Sequence, residues 1–257
     1  MNPRATKTDV KYLRFLGTKN GREEEKKFLL EGWRPLRDAL ASEFEVEAVY
    51  FVKSAEHNLK SMEAFIRKEK IPLRELASGE LDQISATEQA QGVVTVLQQR
   101  NIPAREACTG AKLVVAVDAV SDPGNIGTII RTADWFGVDA VLLGESSASL
   151  YNEKVIRSTA GSIFHIRIAE RVELRTTLRE LGDQGFNVWG TDSTGKSIGE
   201  RKPEKLVLVF GSEANGISDT VKTVCKEIIS IPLFGRAESL NVASACAAVL
   251  SYYRLSK

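Results

Sequence analysis

The sequence predicts an α/β protein built from two units, the second carrying a mostly parallel sheet. Three observations predict it. Stretches with strand and helix patterning alternate along the chain. In the second half the apolar runs, above all LVVAVDAV (113–120) and LVLVFG (206–211), are nearly continuous in Val, Leu and Ile, as expected of strands buried on both faces. A polar stretch with Pro103 and Gly110, QQRNIPAREACTGAK (98–112), separates the two regions and places a linker near 100–111. The expected division is 1–105 and 106–257.

In the first unit FLLEG (28–32) reads as a strand and WRPLRDALAS (33–42) as a helix. VEAVYFV (46–52), rich in β-branched and aromatic residues, is a strand. HNLKSMEAFIRKE (57–69) is helical, with Leu59, Met62, Phe65 and Ile66 at steps of three and four. PLRELA (72–77) is a strand, SGELDQISATEQ (78–89) a short helix and GVVTVLQ (92–98) a closing strand. The N-terminal 22 residues hold six basic side chains (Arg4, Lys7, Lys11, Arg14, Lys19 and Arg22) against one acid, Asp9. They read either as a basic arm that meets phosphate or as a solvated tail.

In the second unit the strands are 113–120, AVLLGE (140–145), FHIRIA (164–169), FNVWGT (186–191), 206–211 and EIISIPL (227–233). Helices fit between them at 125–137, 152–161, 172–185 and 239–255. About 145 residues suffice for a substantial core.

Composition excludes several classes. Hydrophobic residues make up 43% and charged residues 27% of the 257, values of a folded globular chain rather than a disordered one. No apolar run reaches the roughly 18–20 residues of a membrane span, and the first residues lack a signal-peptide core, so a cytosolic protein is expected. Three scattered cysteines and two histidines argue against a disulfide framework and a zinc site. The net charge of +1 carries no bulk signal for nucleic acid.

The stretch GTDSTGKS (190–197) matches a phosphate-binding loop by its letters and follows a strand. That chemistry requires the loop to open a helix whose N-terminal amides hold phosphate. Gly199 and Pro203 break any such helix, and no strand ending in Asp follows to hold magnesium, so a surface loop is expected instead of an ATPase site. No GxGxxG fingerprint supports a dinucleotide site.

Three clusters remain. VDAVSDPGNIGTIIR (117–131) follows a strand and opens a helix whose buried face is Ile126, Ile129, Ile130 and Ala133. Arg131 stands one turn beyond Gly127, a spacing that leaves room for a planar or phosphate group; a surface arginine with a turn glycine has the same spacing. LVLVFGSEANG (206–216) ends a buried strand in a polar, glycine-bearing loop, where ligands of parallel sheets bind; an ordinary strand-to-helix turn also fits, with Glu213 solvated. In ISIPLFGRAESLNVASACAA (229–248) Ser239 is placed to cap a helix full of small residues. Asn241, a weak helix former, is poorly explained by packing in a first turn.

In this order the stretches DPGNIGTIIRTADWFG, LVFGSEANGIS and IPLFGRAESLNVASACAAVLSYY resemble the three signature motifs of the SpoU (TrmH-like) RNA ribose 2′-O-methyltransferases of the SPOUT superfamily, over roughly residues 112–255. The first region, with KFLLEGWRPLRDAL and ATEQAQGVVTVLQ, resembles the L30e-like substrate-binding domain often fused to them. The resemblance implies a catalytic domain with a deep trefoil knot, S-adenosylmethionine as cofactor and no metal. It also implies a homodimer, with the first motif helix and the last helix near the interface and each site completed by the partner. By motif position Gly211, Ile231 and Leu240 line the donor pocket, with Thr191 beside it. Asn125, Arg131, Glu213, Ser239 and Asn241 match the polar active-site positions.

Methyl transfer requires the 2′-hydroxyl to lose its proton as it attacks, and the clusters hold no His or Lys as a conventional base. A guanidinium stays protonated, so Arg131 is expected to orient the hydroxyl or the adjacent phosphate and to stabilise alkoxide charge. Asn125 and Asn241 position neighbouring groups. The extra N-terminal domain favours 23S-type ribosomal RNA as substrate. A tRNA substrate, methylation of a base, and an inactive RNA-binding scaffold are the alternatives.

Overall fold

The computed structural model describes residues 2–85, 91–199 and 203–255. The chain divides into two compact units, Met1–Arg100 with Tyr151–Phe164, and Asn101–Leu150 with His165–Lys257. The seam falls at 100/101 rather than at 105, and residues 151–164, expected in the second half, are counted with the first. Aromatic packing accounts for this. Tyr151 lies 4.8 Å from the ring of Phe28, and Phe164 meets Phe44 edge-on at 5.1 Å. The Tyr151 hydroxyl also accepts from the Arg100 N–H at 2.7 Å and donates to the Arg100 carbonyl at 2.6 Å.

The first unit runs α1 (Lys7–Gly17), α2 (Lys19–Glu25), β1 (Lys27–Glu31), α3 (Trp33–Leu40), β2 (Val46–Val52), a 3-10 segment (Lys53–Ser61), α4 (Glu63–Lys68), β3 (Leu73–Leu76), α5 (Ser78–Leu81) and β4 (Val93–Gln98). Its sheet has the order β1-β4-β2-β3, antiparallel except for β2 beside β3. The alternation of β2 sets the layers. Ala48, Tyr50 and Val52 face Val10, Leu13 and Leu16 of α1, whereas Val49 and Phe51 face Leu36 of α3 and Ile66 of α4.

The N-terminus is thus neither arm nor solvated tail. Residues 3–5 pair with the edge of β3 through Glu75, and α1 is an amphipathic helix opened by a Thr6–Asp9 capping box. Asp9 also accepts from Tyr50 at 3.3 Å and Arg74 at 3.1 Å, pinning α1 to β2 and β3. The helix expected over 57–69 is split at Met62, into the end of the 3-10 segment and the short α4. The helix expected over 78–89 is four residues long where described; residues 86–90, which include most of ATEQAQ, lie outside the described residues.

The second unit runs α6 (Ala104–Ala107), β5 (Leu113–Asp118), α7 (Pro123–Trp135), β6 (Ala140–Gly144), then, after α8 (Glu153–Thr159) of the first unit, β7 (Arg167–Val172), α9 (Leu174–Asp183), β8 (Asn187–Ser197), β9 (Leu206–Gly211), α10 (Asp219–Lys222), β10 (Glu227–Ser230) and α11 (Val242–Leu255). All six strands are parallel, in the order β10-β8-β9-β5-β6-β7. One face packs Val114, Leu142 and Val209 against Leu178 and Leu181 of α9. Helices α7 and α11 pack on each other, and Ile126 and Ile130 of the first and Cys246 and Leu250 of the second are fully buried.

The local differences from expectation have identifiable causes. β10 stops at Ser230 because Pro232, two residues on, has no N–H to give to a ladder. The GTDSTGKS letters are not a surface loop but the continuation of β8. They pair with β10 at Gly190, swell outward, and pair again at Lys196 and Ser197. A Cβ on Gly195 would lie 2.6 Å from the Ile229 carbonyl carbon, so this glycine serves close strand contact. No helix among the described residues is long and apolar enough to cross a membrane.

Candidate active site

The site forms where β9, α7 and α11 end or begin. α7 starts with Asp122 as N-cap, its carboxylate accepting from the Asn125 N–H at 2.9 Å, and Pro123 in the first turn. This holds Asn125 in the opening turn. β9 ends at Gly211, where a Cβ would lie 2.0 Å from the Gly216 carbonyl carbon, so only glycine admits the approach. The loop between them closes by paired backbone bonds, Ser212 N–H to Gly216 carbonyl at 3.1 Å and the reverse at 2.8 Å. Gly216, at φ +64°, turns the chain back and leaves Glu213 at the loop's tip.

Asn241, not Ser239, caps α11. Its Oδ1 accepts from the backbone N–H groups of Ala243 at 3.0 Å and Ser244 at 3.3 Å, and the helix begins at Val242. Its Nδ2 donates to Asn125 Oδ1 at 2.9 Å and to Glu213 Oε1 at 3.3 Å. Asn125 Nδ2 donates to the same carboxylate oxygen. Three residues from three distant segments therefore close one hydrogen-bonded ring. Glu213 Oε2 takes no partner among the described residues and is free to accept from a substrate.

Beside this ring lies a cavity of about 700 Å³. Thr191, Gly211, Glu213, Ile231, Ser239 and Leu240 all line it, six of the nine expected site residues. Thr191 is fixed by donating to the Val209 carbonyl at 2.9 Å. Asn125 and Asn241 reach the cavity's edge through Glu213. Arg131 stands apart. It is exposed on α7, lines no part of this cavity and makes no bond to Glu213. Gly127, expected to leave open space below it, is buried in the core.

Two lining features escaped the sequence reading. Asp192 accepts from the Thr194 N–H at 3.0 Å and hydroxyl at 2.9 Å, and pairs with Lys222 at 3.1 Å. The Thr194 backbone bond, acting against partial burial, holds its carboxyl below the usual range. Its signal in the sequence was only its place beside Thr191. The second is the exposed stretch 233–236. Behind the site, Asp118 at the end of β5 accepts from the Ser218 N–H at 2.8 Å and anchors the chain after Gly216. Among the described residues no group of three or more His, Cys, Asp or Glu gathers as a metal site.

Comparison with known proteins places this geometry. Residues 112–251 match the SpoU rRNA Methylase family, and residues 7–95 the MRM3-like substrate binding domain. The chain is 35% identical over 246 residues to the 23S rRNA (guanosine(2553)-2′-O)-methyltransferase RlmP of Bacillus subtilis, covering 95% of this chain and 94% of that protein. An AdoMet-bound rRNA methyltransferase from Sinorhizobium meliloti superposes with a TM-score of 0.87 at 28% identity, over 98% of this chain and 96% of that one. The SpoU methyltransferase AviRb of Streptomyces viridochromogenes, in complex with AdoMet, gives 0.85 at 25% identity, over 97% of each chain. With three motif segments joined by one hydrogen-bonded ring beside the cavity and a family match across more than half its length, the chain belongs to the SpoU methylase family.

Proposed function

We propose that the protein is an S-adenosylmethionine-dependent RNA methyltransferase that acts as a cytoplasmic homodimer and methylates a ribose 2′-hydroxyl in 23S-type ribosomal RNA. The observation that carries this reading is the ring Asn125–Glu213–Asn241 at the edge of the cavity walled by Thr191, Gly211, Ile231 and Leu240. The names of the relatives support the reaction and the RNA class.

The residues present fit the donor. Gly211 lets the 212–216 loop fold back on the end of β9 beside the cavity, Ile231 and Leu240 offer apolar walls, and Asp192 and Glu213 bring negative charge suited to a cationic ligand. When bound, the sulfonium group supplies an electrophilic methyl. The chain's own part is positioning and charge. Glu213, held by two amide donors, keeps one oxygen to accept a hydrogen bond from the hydroxyl. The two asparagines hold that carboxylate still, which lowers the entropic cost of alignment.

Arg131 shares the outer face of α7 with Thr128 and the 84%-exposed Trp135, and Leu255 of α11 is 73% exposed. In this reading a second copy covers Trp135 and Leu255, and Arg131 serves the partner's cavity, stabilising alkoxide charge there. The threaded C-terminal knot belongs to the same proposal. It is supported by the course of the chain, from edge strand β10 past the end of β8 and back to α7.

The test is incubation of the protein with methyl-labelled donor and total RNA from a strain lacking it, followed by mapping of the product. Label at one large-subunit rRNA nucleotide, with that linkage resistant to alkali, is the expected result. Label on tRNA, or on a base with the linkage still labile, overturns the substrate assignment. Donor binding with no transfer to any RNA overturns the reaction.

A further inference from the structure

The geometry points to Phe234 and Arg236 as the seat of the nucleotide being methylated: the target base stacks on the Phe234 ring while Arg236 takes the neighbouring phosphate. The loop from Ile231 to Asn241 carries a phenylalanine 95% exposed beside a leucine 70% exposed. Large apolar side chains left in water side by side mark a surface that something covers. Both line the cavity that Glu213, Ser239 and Leu240 also line, so what covers them shares space with the reaction. Arg236 lines it too, is exposed and has no hydrogen-bond or ionic partner among the described residues.

The chemistry of a nucleotide suits this pair. The 2′-carbon lies between the carbon that bears the base and the carbon that bears the 3′-phosphate. A protein that presents a 2′-hydroxyl to a donor must therefore meet a flat apolar surface on one flank and an anion on the other. An aromatic ring serves the first, since single-stranded bases are held by stacking. A guanidinium serves the second. A benzyl side chain has no polar group with which to read base edges, so the seat holds any base and leaves selection of the nucleotide to other contacts.

This rests on the methyltransferase reading above. The experiment compares native protein with Phe234→Ala, Phe234→Leu, Phe234→Trp and Arg236→Gln. The probe is protein-free large-subunit rRNA from a strain lacking the protein. Kinetics give kcat and KM for RNA, calorimetry gives the donor Kd, and sedimentation gives the mass. Stacking of ordinary strength predicts KM raised about 5- to 150-fold in Phe234→Ala and Phe234→Leu. In both, kcat stays within about twofold, and donor Kd and mass are unchanged. Phe234→Trp retains the native KM. Arg236→Gln lowers the salt dependence of RNA binding by about one phosphate contact, a slope change near 0.7.

A native KM in Phe234→Leu shows a merely apolar role and overturns the seat. A donor Kd that weakens in step with KM assigns Phe234 to the donor and overturns it, and so does a fall to monomer mass, which assigns Phe234 to the dimer. Native protein that methylates no RNA sinks the earlier reading instead, so the two failures are distinguishable.

Discussion

At the scale of single residues the site rests on Asn241. From the sequence it stood out as a poor helix former in a supposed first turn, with Ser239 as the cap; two residues further on, Asn241 is itself a preferred N-cap. Its carbonyl oxygen holds the helix and its amide nitrogen holds Asn125 and Glu213. Two substitutions separate these duties. Serine caps as well as asparagine but is too short to span to the other two side chains. Asn241→Ser is expected to melt near the native temperature and to lose turnover about 100-fold, the cost of misplacing a reacting group by about an ångström. Asn241→Ala should lose as much turnover and also about 1 kcal/mol of stability with the cap. Thermal unfolding beside single-turnover kinetics reads both, and an active serine variant would show the ring to be structural only. Gly211, Glu213, Ile231 and Leu240, which line one cavity, were singled out by their motif positions in the family resemblance, since a turn after a buried strand alone left them ambiguous. The ring itself was not, because hydrogen bonds across 116, 88 and 28 residues leave no local pattern.

Among the elements, α1 shows what local reading misses and where its signal lay. Its apolar residues, Val10, Leu13 and Leu16, occupy three short turns amid charge, and the basic side chains dominated the reading. Yet β2 is apolar at every position from Ala48 to Val52, so both faces of its sheet needed cover. α3 and α4 cover the face of Val49 and Phe51, whereas the face of Ala48, Tyr50 and Val52 is covered by α1 together with Leu81 of the short α5. By contrast β2 and β9 have the expected bounds, because continuous apolar runs end abruptly in polar residues. The docking of α1 turns its charges outward. Lys7, Lys11 and Arg14, spaced four and three residues apart, are all exposed on one face with no partner among the described residues. If this face tracks RNA, the triple substitution K7Q/K11Q/R14Q leaves the melting temperature unchanged. It lowers the slope of log affinity against log salt by about 2–3 units, at 0.7–0.9 per phosphate lost. Binding to rRNA at several salt concentrations measures it, and an unaltered slope places the RNA on another face.

For the whole molecule the decisive fact is that the ring and Arg131 point to different neighbours. Around α7, Asn125 lies toward Glu213 and Asn241, whereas Arg131 shares a face with Thr128 and Trp135, which is exposed among the described residues. Seven residues separate Thr128 from Trp135, two helical turns, so the exposed stripe continues along the helix rather than ending at one side chain. In the proposed dimer Trp135 and the guanidinium beside it meet a second copy at a two-fold contact, and each copy lends its arginine to the other. Trp135→Glu should then yield monomers by sedimentation, still folded by circular dichroism and inactive in transfer. A sharper outcome follows from mixing two impaired proteins, Arg131→Ala and Asn241→Ala, after dissociation and reassembly. If Arg131 acts across the interface, each mixed dimer regains one intact site, built from Asn241 of one copy and Arg131 of the other. Random pairing makes half the dimers mixed, each with one of two sites restored, so activity returns to about a quarter of the native value. If Arg131 acts within its own chain, every site in the mixture lacks one of the two residues and activity stays at the low level of the separate variants. Recovery near a quarter therefore requires both the dimer and the crossed arginine, and neither alone produces it.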